Sequence, residues 1–112
     1  MTSHRSFVTA HVLDATAGTP AAGVPVALAD GGGEVLARAV TDADGRVGEL
    51  GPERLPSGTY RITFGTGEWF AARGQETFYP QVQVEVRIDE AQAHYHVPLL
   101  LSPFAYSTYR GS

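Results

Sequence analysis

An all-β sandwich of about eight strands with one short helix is what this sequence predicts. Thirteen Gly and seven Pro punctuate short runs rich in Val, Leu, Thr, Tyr and Phe. Within those runs apolar and polar residues alternate with the period of two that half-buried strands require. One stretch, Glu68 to Gly74, lacks the alternation, contains two Ala and ends at Gly, and reads as a two-turn helix.

In chain order, Phe7 to Asp14 forms the first strand. Val24 to Ala29 and Val35 to Thr41 flank the turn Asp30-Gly-Gly-Gly33 and pair as a hairpin. The turn Asp42 to Gly45 ends the third strand, and a short fourth follows at Arg46 to Leu50. Gly58 to Phe64, Val82 to Ile88, His94 to Leu101 and Ala105 to Tyr109 complete the set. The chain has 112 residues, no internal repeat and no long linker, so residues 1–112 are expected to form a single domain.

Composition narrows the chemistry. Hydrophobic residues are 43% and charged residues 18%, enough apolar surface for a core. All eight basic residues are Arg, set against twelve acids for a net charge of -4, so no basic face for nucleic acid is expected. With no Lys there is no Schiff base, and with no Cys there is no thiol nucleophile, disulfide or Cys-type zinc site. No G-x-S-x-G elbow is present, and Gly31 to Gly33 is a hairpin turn, not a nucleotide loop. Water is therefore the expected nucleophile. Met1 to Ser6 is polar and leads straight into a strand, with no leader or membrane span in view, so the expected location is cytoplasmic, with no membrane partner.

Strand parity then sorts the faces. In the first strand Val8, Ala10 and Val12 suit the core, leaving Thr9, His11 and Leu13 opposite. In the seventh, Tyr95, Val97, Leu99 and Leu101 form the apolar set, opposed by His94, His96, Pro98 and Leu100. Three of the four His thus share outer faces with Leu and Pro, a mixed patch expected to lie at a subunit interface. Taken singly, His4 and His11 read as half-exposed polar residues, and Arg46 as a solvated residue after an Asp-Gly turn. Asp42 and Asp44 suggest a turn and not a calcium loop, because the further ligands are missing.

The blocks A-H-V-L-D-A-T-A-G-T-P-A (Ala10 to Ala21), T-D-A-D-G-R (Thr41 to Arg46), F-Y-P (Phe78 to Pro80) and H-Y-H-V-P-L-L-L-S-P-F-A-Y-S-T-Y-R-G-S (His94 to Ser112) resemble the 5-hydroxyisourate hydrolases, the transthyretin-like proteins. The C-terminal Y-R-G-S separates them from transthyretins proper. Ala105, where related sequences often carry Gly, is a minor departure. The resemblance implies a transthyretin-like two-sheet sandwich, a homotetramer with active sites at subunit interfaces, and hydrolysis of 5-hydroxyisourate without a cofactor. It implies His11, Arg46 and His96 as catalytic residues and Tyr109 as a substrate contact, with Arg110 and Ser112 closing the site and His94 behind it. Either His11 or His96 would activate water, and Arg46 would stabilise the oxyanion. Two other readings stay open: a zinc hydrolase using His11, His94 and His96, and a channel carrier of a small aromatic ligand.

Overall fold

The structure, a computed structural model, describes residues 5–112. His4 lies outside them. Among the described residues there are nine strands and one helix: β1 (Val8–Asp14), β2 (Thr19–Pro20), β3 (Pro25–Asp30), β4 (Val35–Val40), β5 (Arg46–Val47), β6 (Gly58–Phe64), α1 (Thr66–Ala71), β7 (Val82–Ile88), β8 (Tyr95–Ser102) and β9 (Ala105–Thr108). One sheet runs β2-β1-β8-β9, with β5 also paired to β1. The second runs β4-β3-β6-β7. No described helix is long and apolar enough to cross a membrane.

The alternation in the sequence becomes the core between the sheets. Val8, Ala10 and Val12 of β1 are fully buried, and Tyr95, Val97, Leu99 and Leu101 of β8 join them. Val26, Leu28, Ile62, Phe64 and Ile88 face them from the second sheet. Burying each large aliphatic side chain stabilises the fold by roughly 1.5–3 kcal/mol. The hairpin β3–β4 forms as expected, with Asp30 Oδ1 accepting from the amides of Gly32 and Glu34 to set its turn. β1 and β8 pair in parallel, with Thr9 beside His96 and His11 beside Pro98.

Three elements differ from expectation. Thr19–Pro20 is an unforeseen strand on β1, folded back by Asp14, whose carboxylate accepts from the amides of Thr16 and Ala17. Two residues are too few to show a period. The helix starts at Thr66 and ends at Ala71, earlier than expected, because Thr66, Trp69 and Phe70 form its buried stripe. The Gly67 amide bonds to the Pro80 carbonyl, in a space where a Cβ would sit 2.3 Å from that oxygen. The fourth predicted strand is only Arg46–Val47. Beyond it the chain turns inward, where the Leu50 amide donates to the buried Ser6 hydroxyl at 2.7 Å.

The turn before β5 depends on one glycine. Gly45 has φ +74°, and a Cβ there would lie 2.4 Å from the Val12 carbonyl oxygen. That carbonyl belongs to β1, so the clash is with backbone that cannot yield. Gly45→Ala is expected to destabilise the protein by about 1–3 kcal/mol, combining a strained φ with steric overlap. Urea unfolding measures this, and an unchanged midpoint would contradict it.

Candidate functional site

Arg46 is delivered by a turn that closes on itself. Asp42 Oδ1 accepts from the amides of Asp44 at 2.8 Å and Arg46 at 3.0 Å, and the Asp42 amide donates to the Arg46 carbonyl at 2.9 Å. These bonds, the Arg46 amide first among the causes, hold the Asp42 carboxyl below its ordinary value. One carboxylate oxygen is thus turned to backbone amides, as a turn requires. β5 then pairs Arg46 with His11 and Val47 with Ala10.

His11 is fixed from the same turn. Its Nε2 lies 3.0 Å from the Asp44 carbonyl oxygen, and a carbonyl can only accept, so Nε2 carries the proton. Its ring lies near that of His96, with centroids 6.4 Å apart and planes inclined by 27°. His94, just before β8, and His96, within it, both turn their rings onto Thr9 of β1. Thr9 Oγ1 is 2.9 Å from His94 Nε2 and 2.8 Å from His96 Nδ1, a hydroxyl shared between two imidazoles. Parity had put Thr9 outside the core; it is nonetheless buried, on the outer face beneath those rings.

The C-terminal segment covers this face. The Gly111 amide donates to the His96 carbonyl at 2.8 Å, extending the sheet by one bridge. Gly111 sits so close that a Cβ would be 2.6 Å from His96 Cδ2 and 3.2 Å from Pro98 Cγ. The Thr108 hydroxyl donates to the Pro98 carbonyl at 2.7 Å. Pro98, placed by parity on an apolar exterior, is therefore buried by the chain's own tail, and it does not itself call for a second subunit.

A cavity of about 260 Å³ opens between these elements, lined by Arg5, Thr9, Arg46, His94, His96 and Ser112 among others. Four of the residues singled out from the sequence, Arg46, His94, His96 and Ser112, meet there. His11 stands beside the cavity without lining it. Tyr109 and Arg110 are not brought to it. They border an adjoining cleft with Val84, Val86, Tyr95 and His96, so that His96 lies between the two, and the Arg110 guanidinium lies 4.5 Å from the centre of the Tyr95 ring. Three contributors escaped the sequence reading. Thr9 and Gly111 look like ordinary strand and tail residues, and Arg5 lies in a polar run with no pattern.

Electrostatics favour neutral imidazoles. Desolvation is the main cause lowering His96, helped by Arg46, His11, His94 and Arg5. Desolvation also lowers His94, reinforced by Arg5 and opposed by the backbone carbonyls of Ser6 and Phe7. Neither Arg5 nor Arg46 is ion-paired among the described residues. Nor does any group of three or more His, Cys, Asp or Glu among them have the arrangement to hold a metal ion. Between the ring nitrogens of His94 and His96 lies the Thr9 hydroxyl.

The model of the HIUase/Transthyretin family matches residues 8–111. The chain belongs to this family. It is similar to the 5-hydroxyisourate hydrolase of Salmonella typhimurium, 45% identical over 111 residues, which cover 96% of this chain and 82% of that protein. The solved 5-hydroxyisourate hydrolase of Klebsiella pneumoniae superposes with a TM-score of 0.88 at 43% identity, over 96% of this chain and 100% of that one. Sea bream transthyretin, solved in complex with thyroxine, superposes with a TM-score of 0.89 at 33% identity, over 94% of each chain. One family fold thus carries both a hydrolase and a hormone-binding protein, so function must be argued from the site.

Two outcomes test this geometry. Gly111→Ala should displace the His96 ring and lower turnover while leaving the unfolding midpoint nearly unchanged, since the overlap falls on the covering tail and one half-buried ring and not on the core. Wild-type turnover would show that the contact is slack. Because His94 and His96 titrate below the ordinary 6.5, the folded chain binds fewer protons than the unfolded chain just below that pH. Stability should fall as the pH drops through this window, and a His94→Gln, His96→Gln double variant should show a shallower fall. Equal slopes of urea midpoint against pH would rule the shifts out.

Proposed function

We propose that this chain hydrolyses 5-hydroxyisourate, opening its six-membered ring to give 2-oxo-4-hydroxy-4-carboxy-5-ureidoimidazoline in urate degradation. The observation that carries this reading is one small cavity lined by both a neutral-leaning imidazole, His96, and a guanidinium, Arg46, that forms no ion pair among the described residues. Hydrolysis of a cyclic amide needs these two groups. The imidazole takes a proton from water as the oxygen bonds to the ring carbonyl carbon. The guanidinium meets the negative charge that develops on the carbonyl oxygen. The C–N bond then breaks, and the proton passes to the departing nitrogen.

His96 is the better base of the two candidates. His11 Nε2 is already committed as a donor to the Asp44 carbonyl, and its ring does not line the cavity. In this proposal His11 supports the site from beside it. Ser112 lines the cavity and would contact substrate. Tyr109, exposed at 60%, and Arg110 do not line this cavity, and the proposal has them meet substrate across an interface between copies, in a homotetramer with shared sites. Sedimentation velocity checks this, and a fully active monomer would reject it. A cytoplasmic location is also proposed, to be checked by cell fractionation.

A carrier role is less well supported. Two guanidiniums without an ion pair among the described residues and two part-buried imidazoles at one cavity are costly to desolvate for an apolar ligand, but suit a polar, reacting one.

The decay of freshly generated 5-hydroxyisourate, followed by ultraviolet absorbance with chelator present, tests the proposal. The protein should accelerate it. Arg46→Ala should lower kcat by about 10²–10³-fold, the usual loss for an oxyanion donor, with the circular dichroism unchanged. No acceleration by the folded protein would overturn the reading. Acceleration abolished by chelator and restored by zinc would move the chemistry to a metal.

A further inference from the structure

The hydroxyl between the two imidazoles is the least expected feature of the site. Thr9 is largely buried beneath the two rings where it lines the cavity, and it touches two ring nitrogens at hydrogen-bond distance. A hydroxyl has one proton and two lone pairs, and a neutral imidazole has one N–H and one lone pair. The three groups must therefore agree on a direction of donation. That direction decides whether His96 presents a lone pair or a proton at its remaining nitrogen.

We propose that Thr9 and His94 are positioning residues that hold His96 as its Nδ1–H tautomer, so that Nε2 is left as the base. This rests on the hydrolase reading: a base at His96 needs a bare Nε2, and a neutral imidazole with a bare Nε2 carries its proton on Nδ1. Thr9 Oγ1, 2.8 Å from that nitrogen, then accepts the Nδ1–H and gives its own proton to His94 Nε2, 2.9 Å away.

The ring is also kept from turning over. A flip about the Cβ–Cγ bond would put Cδ2 where Nδ1 meets Thr9 and forfeit that hydrogen bond, and Gly111, packed against Cδ2, leaves the ring little room to sweep through. The carbon edge thus faces the tail and the nitrogen edge faces Thr9. Neutral histidine in water favours the opposite tautomer, with the proton on Nε2, so the wild-type arrangement has to be imposed. During the reaction Nε2 takes the water proton, and the Nδ1–H···Thr9···His94 chain stabilises the imidazolium that forms. No net proton leaves the chain, because Nε2 returns its proton to the departing nitrogen.

Two-bond ¹H–¹⁵N correlation spectra of the ¹⁵N-labelled protein read the His96 tautomer directly at neutral pH. The wild type should show a protonated Nδ1 and a bare Nε2. Thr9→Val, nearly equal in shape but without the hydroxyl, should shift His96 towards Nε2–H and lower kcat by about 10²-fold with KM little changed. Thr9→Ser should restore both. A wild-type His96 protonated at Nε2 would overturn the proposal without any variant, even if Thr9→Val failed to fold. So would a folded Thr9→Val that kept both the wild-type tautomer and the wild-type kcat. If the wild type does not accelerate decay of 5-hydroxyisourate, the hydrolase reading fails while the spectra still decide the tautomer.

Discussion

The parallel pairing of β1 with β8 is the constraint on which the site depends. It joins residues 8–14 to residues 95–101, near opposite ends of the chain, in a fixed register. On the inner face, Val8, Ala10 and Val12 lock against the core beside Tyr95, Val97 and Leu99. A slip of one residue would turn every one of these side chains outward, so core burial enforces the register. The outer face inherits that precision. Thr9 meets His96 because Val8 and Ala10 are buried, and neither polar residue needs a reason of its own to be there.

Two short segments finish what the ladder begins. The Asp42–Arg46 turn is closed by its own carboxylate and by a glycine packed on β1, and it brings a guanidinium to the edge of the sheet. The tail lies across the other side and presses Gly111 on His96. Both contacts use glycine, for different reasons. At Gly45 the backbone is left-handed as well as crowded, whereas at Gly111 crowding alone excludes a side chain.

The charges around the imidazoles serve two ends. Arg46, which suits an oxyanion, also lowers the proton affinity of His96 in the resting site. An imidazole so placed favours its neutral form. In the proposed reaction, the negative charge forming on substrate beside Arg46 would relieve that suppression as the imidazole becomes charged. Sea bream transthyretin, solved in complex with thyroxine, shares the fold, so the sandwich itself does not dictate this chemistry. The outer face of one sheet does.

Much of the fold was legible from residues alone, because burial imposes a period of two wherever a strand has one wet face. The bounds of β6 and β7 follow directly from that pattern, and so does the inner face of β1 and β8. The pattern could not show β2, which is too short to repeat, nor the burial of Pro98, which a distant tail supplies. At the site, the sequence by itself determined which reactive groups exist and, through parity and family resemblance, that His11, His96 and Arg46 are candidates. Only the tertiary structure decided that Thr9 bridges His94 and His96, that Gly111 clamps the ring, and that Tyr109 and Arg110 face another cleft of the same chain. The physical reason is that periodicity reports which way a side chain points, whereas contact depends on strand pairing between remote segments, which the packing of the whole core selects.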